Sequence, residues 1–183
     1  SFLHLLSYTL EMRPLLRVGT KEYEDYMQYL AETTYLCDEP HPYEPEHSEF
    51  VNALKTARLF EEWIEEKQED FLLEHFKVRP GELKAKLAII DWLVYATLEL
   101  SKLLPCHREG TALLTKMRLR LQHGAKEELL ALLQLKQIGR VRARTLFRAN
   151  IRTLGDIRKA PFPLLRKTVG NKIAESLKEQ VGA

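Results

Sequence analysis

The sequence predicts an all-α protein: a helical bundle around one long central helix over residues 80–104, followed by a small unit of helical hairpins. Three observations carry this. No stretch shows two-residue apolar alternation over a strand length, whereas apolar residues recur at three- and four-residue spacings. The segment PGELKAKLAIIDWLVYATLELSKLL sustains a helical pattern over 25 residues, a rod of roughly 37 Å. Near the C-terminus, LKQIGRVRARTL and LRKTVGNKIAESL share one pattern, so the end of the chain repeats itself.

Ser1–Tyr8 reads as a short helix ending near Arg13-Pro14. A second helix spans Lys21–Leu36 with Thr20 as its N-cap, and Tyr23, Met27, Leu30 and Thr34 line one side. Pro40, Pro42 and Pro45 then enforce an extended loop. Ser48 caps the next helix, Glu49–Glu66, whose inner face is Phe50, Leu54, Ala57, Phe60 (or Glu61) and Ile64, with Trp63 adjoining. Its acidic run EEWIEEKQED reads as a solvated face. A shorter helix, Asp70–Phe76, leads through VRPG into the long one. There Pro80 suits the first helical position, Glu82 complements the positive helix start, Lys102 falls in the last turn and Pro105 stops the helix. Leu83, Leu87, Ile90, Val94 and Leu98 form its apolar stripe. Trp92 points away from that stripe, beside Ala85, Ala88, Tyr95 and Ala96. Its ring either fills a second core or stands exposed as a surface for stacking a base, a sugar or another aromatic. A last bundle helix, Glu109–Leu121, turns Leu113, Leu114, Met117 and Leu121 inward and leaves Lys116, Arg118 and Arg120 as a basic edge.

Charge divides the chain into residues 1–122 and 123–183, with the boundary at His123-Gly124. Of 28 Lys/Arg and 26 Asp/Glu, the second part holds 13 and 5, the first 15 and 21, so a net +2 conceals +8 and −6. Such asymmetry points to a polyanion partner for the second unit, or to a basic face that is merely solvated. A hydrophobic content of 45% suffices for a real core. No apolar run approaches the ~20 residues that span a bilayer, so no membrane partner is expected. The chain opens on SFLHLLSY without a methionine or a signal peptide and reads as a piece of a longer protein. Cys37 and Cys106 form no C-x-x-C pair. They imply free thiols in a reducing intracellular compartment, cytoplasmic or, in a eukaryote, nuclear. Cys37, His41 and His47, even with Cys106-His107, fit no common zinc template, so no metal is expected.

In the second unit, Ala125–Leu135 is a helix, QIGRV a tight turn, and Arg142–Ala149 a helix stopping at Asn150. Thr153 and Asp156 make a near capping box, and PFP breaks the pattern. LLRK, TVGN and KIAESLKEQ then repeat the first pair. The shared form Leu-x-x-h-Gly-x-h/Lys-x-Ala-x-x-Leu is the helix-hairpin-helix pattern. Gly139 and Gly170 permit turn conformations closed to side-chained residues. The N–H groups opening the next helix, with Lys172 nearby in the second copy, are placed to hold a phosphate. Tandem hairpins of this kind follow a nucleic-acid backbone without reading bases; others serve only as packing units. The usual first glycine of each turn is replaced, by Gln137 and by Thr168. Arg140, Arg142 and Arg144 splay around the helix start, with Arg148 one turn on. They offer bidentate contacts to phosphate, or are simply solvated or paired with Glu127 or Glu128. No phosphate loop and no Ser/His/Asp or Cys/His arrangement occurs, so no catalytic residue is expected in this chain.

HGAKEELLALLQLKQIGRVRARTLF, IRTLGDIRKA and KIAESL closely resemble the C-terminal end of the archaeal Holliday-junction migration helicases (Hjm). These are the archaeal branch of the Ski-type superfamily-two DNA helicases, whose animal relative is helicase Q. FLHLLSYTLEMRPLL and LAIIDWLVYATLELSKLL resemble that family's fourth domain. The resemblance implies that the long helix is a "ratchet" helix crossing the channel for one DNA strand. An exposed tryptophan and a basic residue two turns earlier contact successive bases there. Trp92 matches the tryptophan; Ala85 stands at the other position, between Lys84 and Lys86. The small fifth domain touches the emerging strand through an Arg-Ala-Arg motif, here Arg142-Ala143-Arg144 preceded by Arg140. The expected DNA contacts are Trp92, Lys84, Lys86 and Tyr95, then Gly139, Arg140, Arg142, Arg144, Arg148, Gly170 and Lys172. The implied partners are single-stranded and forked DNA, repair proteins, and motor and winged-helix domains upstream. ATP and magnesium belong to those motor domains, with no cofactor in this chain. The expected role is the strand-guiding C-terminal region of an ATP-dependent 3′-to-5′ DNA helicase acting on forks and recombination intermediates. The alternatives are a non-catalytic helix-hairpin-helix scaffold for a repair protein, or an RNA-helicase accessory region.

Overall fold

Residues 1–103 and 108–182 are described by a computed structural model in which every described element is helical. The most deeply covered rod is α3 (Pro45–Ile64), with eleven buried side chains against six on the helix from residue 80. Helix α3 begins earlier than Ser48 suggests, because Pro45 takes the first helical position after an extended Glu44. Ser48 then lies inside the first turn, donating its hydroxyl to the Pro45 carbonyl. The predicted inner face, Phe50, Leu54, Ala57, Phe60 and Ile64, is buried, and so are Val51, Ala53, Lys55, Thr56 and Leu59.

Around α3 pack α1 (Phe2–Ser7), α2 (Tyr23–Glu32) and α4 (Glu69–Phe76), while a 3₁₀ turn (Leu10–Met12) packs against the long helix from Pro80. α2 is shorter than the sequence suggests. Its N-cap is Glu22, not Thr20, and it stops where Thr33 turns extended. α5 (Pro80–Ser101) is the long helix, 22 residues or roughly 33 Å. Its predicted stop at Leu104-Pro105, with Cys106 and His107, lies outside the described residues. α6 (Arg108–His123) buries Leu121 and half-buries Leu114 and Met117; Leu113, expected inside, is exposed. Three apolar clusters result. The largest joins Leu3, Leu6, Met12, Ala57, Phe60, Ile64, Ile90, Leu93, Val94 and Leu121. Between α1 and α2 the chain runs as an extended strap over α3 and α5. Leu16 N–H donates to Thr56 Oγ1, Val18 N–H to Asn52 Oδ1, Lys55 Nζ to the Arg17 carbonyl and Lys86 Nζ to the Pro14 carbonyl.

The chain divides into two compact units, Ser1–Gln122 and His123–Ala183. The second has its own core, including Leu129, Leu132, Ala143, Leu146, Ile157, Leu165, Ala174 and Leu177. A 3₁₀ turn (Glu127–Leu129) and a short α7 (Leu130–Leu133) replace the single helix expected there. α8 (Arg140–Arg148) ends at Asn150, left-handed at φ 63°. α9 (Leu154–Lys159) has a full capping box: Asp156 N–H donates to Thr153 Oγ1, and Thr153 N–H to the Asp156 carboxylate. PFP begins a helix rather than only breaking one, with Pro161 as N-cap of α10 (Phe162–Val169). Gly170, at φ 89°, turns α10 into α11 (Asn171–Gln180). Gly139 is ordinary extended backbone (φ −94°, ψ 177°). The left-handed residue of the first turn is Gln137 (φ 66°), at the position of the missing first glycine. No helix among the described residues is long and apolar enough to cross a membrane. No three His, Cys, Asp or Glu among them gather as metal ligands.

Candidate nucleic-acid interface

Helix α5 has one clean exposed face. Taking Asp91 as zero, Lys84, Tyr95, Ala88, Glu99, Trp92 and Ala85 fall between roughly 20° and 120° around its axis. All are exposed except half-buried Glu99. The buried residues Leu83, Lys86, Ile90, Leu93, Val94 and Leu98 lie between roughly 200° and 340°. Trp92 is 54% and Tyr95 41% exposed. The indole therefore does not fill a second core. It stands over two alanines, which leave its face open for a flat ring to lie against.

Lys86 corrects the sequence-based site. It sits on the opposite side of α5, only 3% exposed, with Nζ donating to the Pro14 carbonyl at 2.6 Å. Burial pulls its ammonium below the usual lysine range, with Glu82 opposing. This side chain clamps the strap and does not reach the Trp92 face. Lys84 is the exposed lysine beside that face. Arg118, expected as a free basic edge, instead reaches from α6 to α5. Its Nε and Nη2 lie 3.0 and 3.3 Å from the two Asp91 oxygens, and its Cζ is 4.5 Å from the Tyr95 ring centroid.

In the second unit, Arg142 and Arg148 are exposed and Arg140 and Arg144 half-buried. Arg142 Nη1 donates to the Gln137 carbonyl at 2.9 Å, bracing the left-handed turn. Arg144 pairs with Glu128 at 2.6 Å, one of the two partners the sequence offered, and lies 5.2 Å over Phe147. Arg152 also covers that ring, at 4.9 Å. It lies between α8 and α9, after the left-handed Asn150, and nothing in the sequence pattern singles it out. Gly170 and Lys172 are exposed at the start of α11. A Cβ placed on Gly139 or Gly170 meets no atom within 4 Å, so the outside of each helix start is open.

The family model for archaeal helicase domain 4 matches residues 1–124. The ATP-dependent DNA helicase Hel308 of Methanocaldococcus jannaschii is 36% identical over 183 residues, covering 99% of this chain and 14% of that protein. Hel308 of Methanococcus vannielii is 35% identical over 180 residues (98% and 23%), and that of Thermococcus kodakarensis 36% over 182 (97% and 16%). The chain thus spans between a seventh and a quarter of the length of these relatives. With two thirds of its residues matched, the chain belongs to the archaeal helicase domain 4 family.

Proposed function

We propose that this chain is the strand-guiding C-terminal region of an ATP-dependent 3′-to-5′ DNA helicase that works on forks and recombination intermediates. The observation that carries the reading is Trp92, more than half exposed on a long rigid helix between small residues. Relatives named ATP-dependent DNA helicase support a motor context, and in this reading ATP and magnesium belong to motor domains outside this chain. Stacking is worth about 1–3 kcal/mol per base, enough to hold a base between steps and weak enough to release it. Lys84 and Tyr95 flank the stacked base. In the second unit Arg140, Arg142, Arg144 and Arg148, with the bare helix starts at Gly139 and Gly170 and Lys172, follow the phosphates.

The test uses intrinsic fluorescence. The sequence has two tryptophans, and Trp63→Phe leaves Trp92 as the sole reporter. Titration with oligo(dT) should quench and shift its emission as the strand binds. Binding of a labelled strand by anisotropy, with indole emission unchanged, sinks the stacking role.

A further inference from the structure

Arg118 joins two helices of the bundle. It belongs to α6, yet its guanidinium lies on α5, gripped by both Asp91 oxygens and spread over Tyr95. Tyr95 is about 40° and Trp92 about 100° from Asp91 around the helix, so Arg118 approaches Trp92's face from the Tyr95 side. Its side chain remains 30% exposed. The grip on Asp91 uses Nε–H and one Nη2–H of five donors, leaving the two Nη1 hydrogens and the other on Nη2. A guanidinium already fixed by an ion pair and a ring loses little further freedom when an anion arrives.

We infer that Arg118 is a phosphate-binding residue of the α5 face, its unused donor edge taking the backbone phosphate beside the base stacked on Trp92. Tyr95 and Asp91 act as positioning residues: the ring supports the guanidinium plane, and the carboxylate sets its rotation. The ligand is single-stranded DNA. The inference rests on the stacking role of Trp92, and the experiment separates the two.

Affinity for a labelled oligo(dT) is measured across a salt series for the wild-type chain, Trp92→Ala, Arg118→Met and Arg118→Lys, with thermal melts confirming that each folds. Trp92→Ala should weaken binding and leave the slope of log affinity against log salt unchanged. Arg118→Met should weaken binding about tenfold and reduce the slope by about 0.7, the share of one phosphate on a single strand. Arg118→Lys should keep the wild-type slope. A wild-type slope in Arg118→Met while Trp92→Ala is impaired overturns the arginine's role alone, and an unimpaired Trp92→Ala overturns the stacking reading first. Equal slope loss in the methionine and lysine variants marks a structural effect and also overturns the assignment. A measurement on unmutated protein is independent of folding. A neutral methylphosphonate at the linkage flanking a 2-aminopurine that reports stacking on Trp92 should weaken binding, and unchanged affinity rejects the contact.

Discussion

Glu22 receives two lysines at once, Lys55 and, at 2.7 Å, Lys77. Their hydrogen bonds hold its carboxyl at about 2, well below the ordinary carboxylate value. A depressed folded-state value contributes stability that is fully present above about 4.5 and is lost as pH falls toward 2. With Glu22 24% exposed, Glu22→Gln should cost about 2 kcal/mol at pH 7. That gap should narrow below pH 4.5 and nearly close at pH 2. Urea midpoints of the two proteins across this range check it; a pH-independent gap means Glu22 matters through packing alone. Lys86 shows what the sequence hides at this scale. Its neighbours on α5 reveal nothing of the Pro14 carbonyl it caps, 72 positions away in the chain. The period of its own helix placed Trp92 off the apolar stripe, but whether its ring filled a second core or stood exposed depended on what packs against α5.

The short helices α1 and α4 were readable to within a residue at each end and α5 at its Pro80 start, whereas α2 and α3 were not. α2 starts late, after Glu22, which is drawn into the lysine pair, and ends early where Thr33 turns extended. α3 gained a turn from Pro45. The depth of α3 was not readable at all, since burial all round depends on which helices surround it. In the first hairpin, the sequence placed conformational freedom at Gly139, but Gln137 adopts the left-handed backbone. A side-chained residue there costs about 1 kcal/mol relative to glycine. Gln137→Gly should therefore raise stability by about that amount in thermal unfolding. The main-chain carbonyl that accepts from Arg142 is retained. A loss instead would show that the glutamine side chain itself contributes.

Across the whole molecule, the charge split of −6 and +8 was legible because it is a property of composition. The pairing within it was not. Arg144 is already engaged by Glu128, so a phosphate competes with a carboxylate there, while Arg142 only braces its own turn. Replacing both arginines by alanine should weaken single-strand binding and flatten the salt slope by about 1.4 if both reach phosphate, and by about 0.7 if Arg144 stays with Glu128. No change in slope removes both from the interface. Gly139 and Gly170 have a different consequence. At each, a helix starts on a bare α-carbon with nothing of the protein beside it, so the contour there is set by an omission. Truncating side chains is blind to such positions. The informative change is to add one methyl at 139, where the backbone accepts it, and ask whether an incoming strand still nestles against the peptide.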